Sequence, residues 1–187
     1  REPGFFEMWM PLLLGAPWLL ALPLLLGPGR WISGLDRQAV GLARPLRWLE
    51  GGHGLILGTL LLGVPAGLAV VSGAYIRIDD AGASIAALTG ASVLSQLPAL
   101  ATAIAFAAFG EELLCRGILL RYWEPLTGTY GAIAISSLVF TAMHGGNPGV
   151  SLLGLFGVLL WGILLGVVFA RTSSMLLVTG LHAGWNF

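Results

Sequence analysis

A bundle of transmembrane helices is the fold this sequence predicts, and three observations predict it. Of the 187 residues, 57% are apolar and only 10% are charged, against roughly 25% charged in an average soluble domain. Several apolar runs reach the length, about 20 residues, at which a helix crosses a bilayer. Those runs lack the two-residue alternation of strands, and lipid admits only helices or closed barrels because backbone polar groups must be satisfied internally. The expected fold is therefore all-α: a polytopic transmembrane helical bundle of about six membrane segments, with one interfacial helix.

The segments fall at about 8–27, 54–76, 96–121, 129–144, 150–170 and 174–187. Pro11, Pro17 and Pro23 in the first and Pro65 in the second predict kinks, which neighbouring helices can accommodate. Gly63 with Gly67 and Gly162 with Gly166 make GxxxG patterns that let helix backbones approach closely, and they read as packing. Between the first two spans, Arg30, Arg37, Arg44 and Arg47 outnumber Asp36 and Glu50 in a plausible surface-lying amphipathic stretch. The positive-inside rule makes that loop cytoplasmic. Alternation then places Asp79 and Asp80 outside and Arg121 and Arg171 inside, leaving Arg1 and Arg77 outside as exceptions. Residues 83–95 read as a short interfacial helix before Pro98, which suits the first turn of the third span.

Composition also excludes classes of function. The formal net charge is zero and all nine basic residues are Arg, so no basic face exists to grip a phosphate backbone and no nucleic-acid partner is expected. The lone Cys115 rules out an intramolecular disulfide. No cleavable signal peptide is read, since Gly27, Pro28, Gly29 and Arg30 follow the first apolar run. The chain begins at Arg1 and stops at Phe187 within what reads as an unfinished helix, so it is expected to be a piece of a longer protein. An Arg-only, Gly- and Ala-rich composition suggests a GC-rich bacterial genome, and hence residence in the bacterial inner membrane. Oligomeric state is not legible.

The informative residues are the few ionisable groups inside the apolar runs: Glu111, Glu112 and Arg116 in the third span, His144 at the end of the fourth and His182 in the sixth. Three charges within six residues would add roughly 7–10 kcal/mol on insertion scales unless they pair or line a wet cavity. Glu112 and Arg116 stand one helical turn apart and can pair, which reads as a structural clamp. Glu111 points about 100° away and lacks that partner. His182 and Asn186 share a face, as do Phe140 and His144. Blander readings stand beside these: His144 precedes Gly145, Gly146, Asn147, Pro148 and Gly149 and could simply finish a helix. His182 with Asn186 could be an interhelical hydrogen-bonding pair. His53 reads as interfacial, and Cys115 as an inert buried thiol.

Taken together, Glu111-Glu112-Leu113-Leu114-Cys115-Arg116 (EExxxR), Phe140 to His144 (FxxxH) and His182 to Asn186 (HxxxN), in that order and on separate helices, resemble the CAAX-processing and bacteriocin-processing (CPBP, or Abi) family, which includes the type II CAAX prenyl endopeptidases. The resemblance covers roughly residues 96–187, the expected catalytic core. Residues 1–95 hold transmembrane and interfacial segments with no recognisable motif, within one membrane domain overall. It implies an intramembrane endopeptidase in which Glu111 and His144 activate water and His182 and Asn186 stabilise the oxyanion, with Glu112, Arg116 and Phe140 in support. No cofactor is expected, although Glu111, His144 and His182 would also make an acceptable three-ligand Zn set. Neither HExxH nor GxSxG is present, which disfavours a zinc-protease helix and a serine intramembrane protease.

Two other classes fit the same residues: a non-catalytic immunity or scaffold protein, and a proton or ion pathway, the latter short of further relay groups. The expected partners are the lipid bilayer and a membrane-anchored peptide or protein. Prenylated CAAX tails, bacteriocin or signalling-peptide precursors and C-terminal sorting tails are all admitted, prenylated proteins least readily in a bacterial setting. One tension remains in the depths. Counted from the predicted cytoplasmic ends at a rise of 1.5 Å, Glu111 lies about 15 Å deep, His182 about 12 Å and His144 about 24 Å. Either the fourth span is tilted, or residues from Gly128 to Gly131 already lie in the bilayer as a re-entrant turn.

Overall fold

The structure, a computed structural model, describes residues 38–42, 48–73, 91–147 and 149–186. The first predicted span, the Asp79–Asp80 loop, residues 83–90 of the predicted interfacial helix and the arginines at 1, 30, 37, 44, 47 and 77 lie outside the described residues. What is described is all helical: α1 (Trp48–Val71), α2 (Ala91–Glu112), a π-helical segment (Leu113–Leu120), α3 (Arg121–His144), α4 (Leu152–Thr172) and α5 (Met175–Asn186). Two stretches, Trp48–Ala69 and Leu152–Thr172, are long and apolar enough to cross a membrane. Only 11% of the apolar window in the first is buried within the molecule. A core helix of a soluble protein would be mostly buried, so the outward leucines of α1, among them Leu57, Leu60 and Leu68, suit a lipid face.

The tension in the depths disappears because the third helix does not end at Arg121. The chain runs helically through the π segment into α3 and breaks at Gly128 (φ 70°, ψ 170°). That conformation is essentially open to glycine alone. Thr129 donates to Glu124 across the break. Beyond it the second half of α3 doubles back: Glu111, seventeen residues before Gly128, comes within 3.9 Å of His144, sixteen residues after it. Both therefore stand about 25 Å from the same turn. The nearly equal helical lengths on either side of the turn bring the two side chains level.

Helix α2 is already formed at Ala91, so Pro98 sits at least two turns inside it, not in its first turn. The three connections that the arginine pattern groups on one side do meet at one end of the bundle. Arg121 donates to Ala39 O (3.1 Å), Glu124 Oε2 (2.8 Å) and Ser173 Oγ (3.0 Å), and Ser174 donates to Glu50 Oε2 (2.5 Å).

Glycines decide which helices touch. Gly162 and Gly166 pack on Ser137, Phe140 and Ile133 of α3, as their GxxxG pattern predicts. Gly63 and Gly67 do not: nothing among the described residues lies within 4 Å of where their Cβ atoms would be. The close approach on α1 is made about two and a half turns earlier by Gly54 and Gly58, against Gly180 and Gly184 of α5. This is the most extensive helix pairing of the described bundle.

Candidate active site

Glu111 and Glu112 are the last two residues of α2 and lead into the π segment, whose wider turn is a feature often found at functional positions. Arg116 lies within that segment, wholly buried, as is Glu112. Its Nη1 donates to Glu112 Oε1 (3.0 Å) and its Nη2 to the Gly162 carbonyl of α4 (2.9 Å). The guanidinium also lies 4.5 Å from the Phe140 ring centroid, a cation–π contact strengthened by the absence of water. Arg116 thus ties the π segment to α3 and α4.

Each imidazole is held by its Nδ1. His144 Nδ1–H donates to the Phe140 carbonyl at 2.8 Å; that oxygen can only accept, so the proton is on Nδ1. His182 Nδ1–H donates to Glu112 Oε1 at 2.8 Å, and the same oxygen takes the Arg116 bond. Phe140 packs between the rings, its centroid 4.5 Å from His144 and 5.5 Å from His182. With both Nδ1 atoms occupied, the two Nε2 atoms are left to face the site. They converge on Glu111 Oε2, at 3.9 Å from His144 and 3.7 Å from His182. These separations exceed a hydrogen bond, and Glu111 Oε2 has no hydrogen-bond partner among the described residues.

Exposure divides the cluster. The Glu111 and His144 side chains retain 19% and 22% of their accessible surface, whereas His182 retains 3%. The Glu111 and His144 side chains are thus partly exposed while Glu111 Oε2 itself is buried, and the second imidazole forms the floor. Asn186, one turn beyond His182, is exposed at the end of α5, and its side chain makes no hydrogen bond among the described residues. Six of the seven residues singled out in the sequence are thus gathered, and Asn186 stands at the edge. His53 is exposed on α1, away from this cluster, and Cys115 is buried.

Residues 93–187 match the family model described as type II CAAX prenyl endopeptidase Rce1-like. The chain belongs to that family. Comparisons with curated proteins and with solved structures give no match. As an Rce1-like protein it is a membrane-integral chain of CAAX-protease type, and the matched segment holds every residue of the cluster.

Some contributors in this Rce1-like chain escape a reading of charged motifs. The Gly162 carbonyl, which anchors Arg116, lies in a glycine pattern that signals packing alone. Trp161 and Trp185 stack with centroids 4.4 Å apart, beside Gly162 and three residues after His182 respectively, with no local signal to announce the pair. Gly54–Gly58 and Gly180–Gly184 are GxxxG patterns in their own right and were open to the same argument as the two pairs singled out.

The three candidate metal donors, Glu111, His144 and His182, are spread slightly wider than a bound metal would hold them. Tetrahedral Zn with bonds of about 2.0–2.1 Å sets its donors about 3.3 Å apart, closer than the 3.7 and 3.9 Å found here. No group of three His, Cys, Asp or Glu among the described residues has metal-holding geometry.

Proposed function

We propose that this cluster hydrolyses a peptide bond of a membrane-associated or lipid-modified substrate by glutamate-activated water. The observation that carries the reading is the convergence of one carboxylate oxygen with two Nε2 atoms whose opposite nitrogens are already tied down. A water bound about 2.8 Å from Glu111 Oε2 and His144 Nε2 would satisfy both. Glu111 takes its proton as it attacks the scissile carbonyl. His182 Nε2, when it carries a proton, is placed to donate it to the developing oxyanion, with the Asn186 carboxamide on the same helix face. The proton on Glu111 then passes to the leaving amine. Charge balance supports the scheme: Glu112 and Arg116 cancel, and a single proton shared among Glu111 and the two Nε2 atoms neutralises the remainder.

For the substrate, the family description favours a lipid-modified C-terminal tail, whereas the composition favours a bacterial precursor peptide or sorting tail. The test is reconstitution of the full chain in proteoliposomes with an internally quenched peptide on an apolar, membrane-inserted tail. Cleavage is expected, and it is expected to survive a strong chelator. Loss of activity in chelator with recovery on adding Zn²⁺ would replace glutamate chemistry by metal chemistry at the same residues, and a folded chain that cleaves no tailed peptide would leave the scaffold and ion-pathway readings. His182→Ala is expected to lower kcat about 10²–10³-fold, the usual loss for one oxyanion donor. An unchanged kcat would remove His182 from that role.

A further inference from the structure

The helix with the largest grip on α5 lies outside the segment matched to the family. Helix α1 spans Trp48–Val71, whereas the match begins at residue 93. The contact between the two helices is backbone on backbone. A Cβ built on Gly54 would overlap the Leu177 carbonyl oxygen, and one on Gly58 the Leu181 carbonyl oxygen. From the other side, one on Gly180 would overlap Gly51 O, and one on Gly184 would overlap Leu55 O. No side chain is present that could rotate away. Relief requires the helices to separate by about 1 Å or more, the difference between such an overlap and ordinary van der Waals contact.

His182 sits between the two α5 glycines in sequence. Two residues along a helix is about 200°, so with Gly180 and Gly184 turned to α1, His182 is carried on the far side, toward Glu111 and Glu112. Its ring has little latitude there. Glu112, which holds its Nδ1 at 2.8 Å, is itself fixed from behind by Arg116 and through it by the Gly162 carbonyl. Any displacement of α5 must therefore be taken up at the His182 contacts.

We infer that α1 is the positioning element for His182, with Gly54 and Gly58 against Gly180 and Gly184 setting the distance of its imidazole from Glu111. The segment that defines the family thus holds the reacting groups but leaves one wall of α5 to be supplied by an upstream helix. Gly54, Gly58, Gly180 and Gly184 are positioning residues: they touch no substrate and act through His182. The kinetic part of this inference rests on the peptidase reading; the structural part does not.

The test uses the full chain in detergent micelles with ¹⁵N-labelled imidazoles, of which there are three, at His53, His144 and His182. Gly58→Ala and Gly184→Ala are expected to move the His182 ring-nitrogen resonances while those of His144 stay in place, which a general loss of structure would not do. Gly63→Ala, on the open stretch of the same helix, is expected to leave both unchanged. On the quenched peptide, the same two variants should lose about 100-fold in kcat, the scale expected for an ångström of misplacement, with KM unaltered.

Should Gly58→Ala and Gly184→Ala fail to fold, Gly51→Val decides. A Cβ at Gly51 meets Leu176 O at an ordinary 3.6 Å, so the added methyls press α5 gently and a smaller shift in the same direction is expected. Unmoved His182 resonances in folded variants, or an equal shift in Gly63→Ala, would overturn the inference. A wild-type chain that cleaves no peptide, yet shows the His182 shifts, would overturn the peptidase reading and leave the positioning intact.

Discussion

Glu111→Ala is expected to lower cleavage about 10²–10⁴-fold, the range for loss of a positioned general base, with no loss of thermal stability. The two halves of that expectation come from the same geometry. Glu111 Oε2 accepts no hydrogen bond among the described residues and lies 3.7 Å or more from either imidazole, so its removal breaks no strong contact. It also takes a carboxyl group without a hydrogen-bond partner out of an apolar bundle, which should leave the melting temperature level or raise it, as is common where activity requires an unfavourable group. Proteoliposome kinetics and detergent-phase thermal unfolding read the two quantities separately. Retained cleavage would remove Glu111 from the chemistry, and a collapse in stability would make it a structural residue instead.

Arg116→Met should behave in the opposite way. Arg116 is fully buried, and its removal leaves the equally buried Glu112 carboxylate without its cation and the Gly162 carbonyl without its donor. Breaking a buried pair by deleting one partner typically costs about 3–5 kcal/mol, a large share of the stability of any single domain. Adding Glu112→Gln to Arg116→Met removes the stranded charge while keeping a carbonyl oxygen for His182 Nδ1–H. Most of the lost stability should then return, as measured by denaturant or thermal unfolding of the double variant. If the double variant is no more stable than Arg116→Met alone, the pair is not coupled and the loss lies in packing against Phe140.

The contrast between the two acidic neighbours shows how much the sequence could express. Spacing alone separates them: Glu112 has a cation one turn away and Glu111 has none, so one is clamped and the other left over. The geometry agrees, with Arg116 on Glu112 at 3.0 Å. Spacing could not say that Glu112 also holds His182, because seventy residues separate them and only the packing of α5 against the π segment brings them to 2.8 Å. A charge can mark where a span ends but not where its helix ends. Arg121 marks a span boundary by its charge and does lie beside the other connections, paired with Glu124 and bonded to Ala39 O and Ser173 Oγ, but the helix itself runs on to the glycine at 128.

The glycines mark the same limit. All of the GxxxG pairs are present in the sequence, and nothing local distinguishes Gly63–Gly67, which meets nothing among the described residues, from Gly54–Gly58, which meets a helix backbone. A glycine permits close approach without choosing the partner.

By itself the sequence determined the solvent, the helical class and the candidate site residues. Each follows from a local quantity: the length of an apolar run, the insertion energy of a charge, and the 3.6-residue period that pairs side chains one turn apart. Only the tertiary structure decided which nitrogen of each histidine faces Glu111, where the third and fourth helices turn, and which glycine face receives α5. Those depend on contacts between residues far apart in the chain, and a local pattern carries no information about its distant partner.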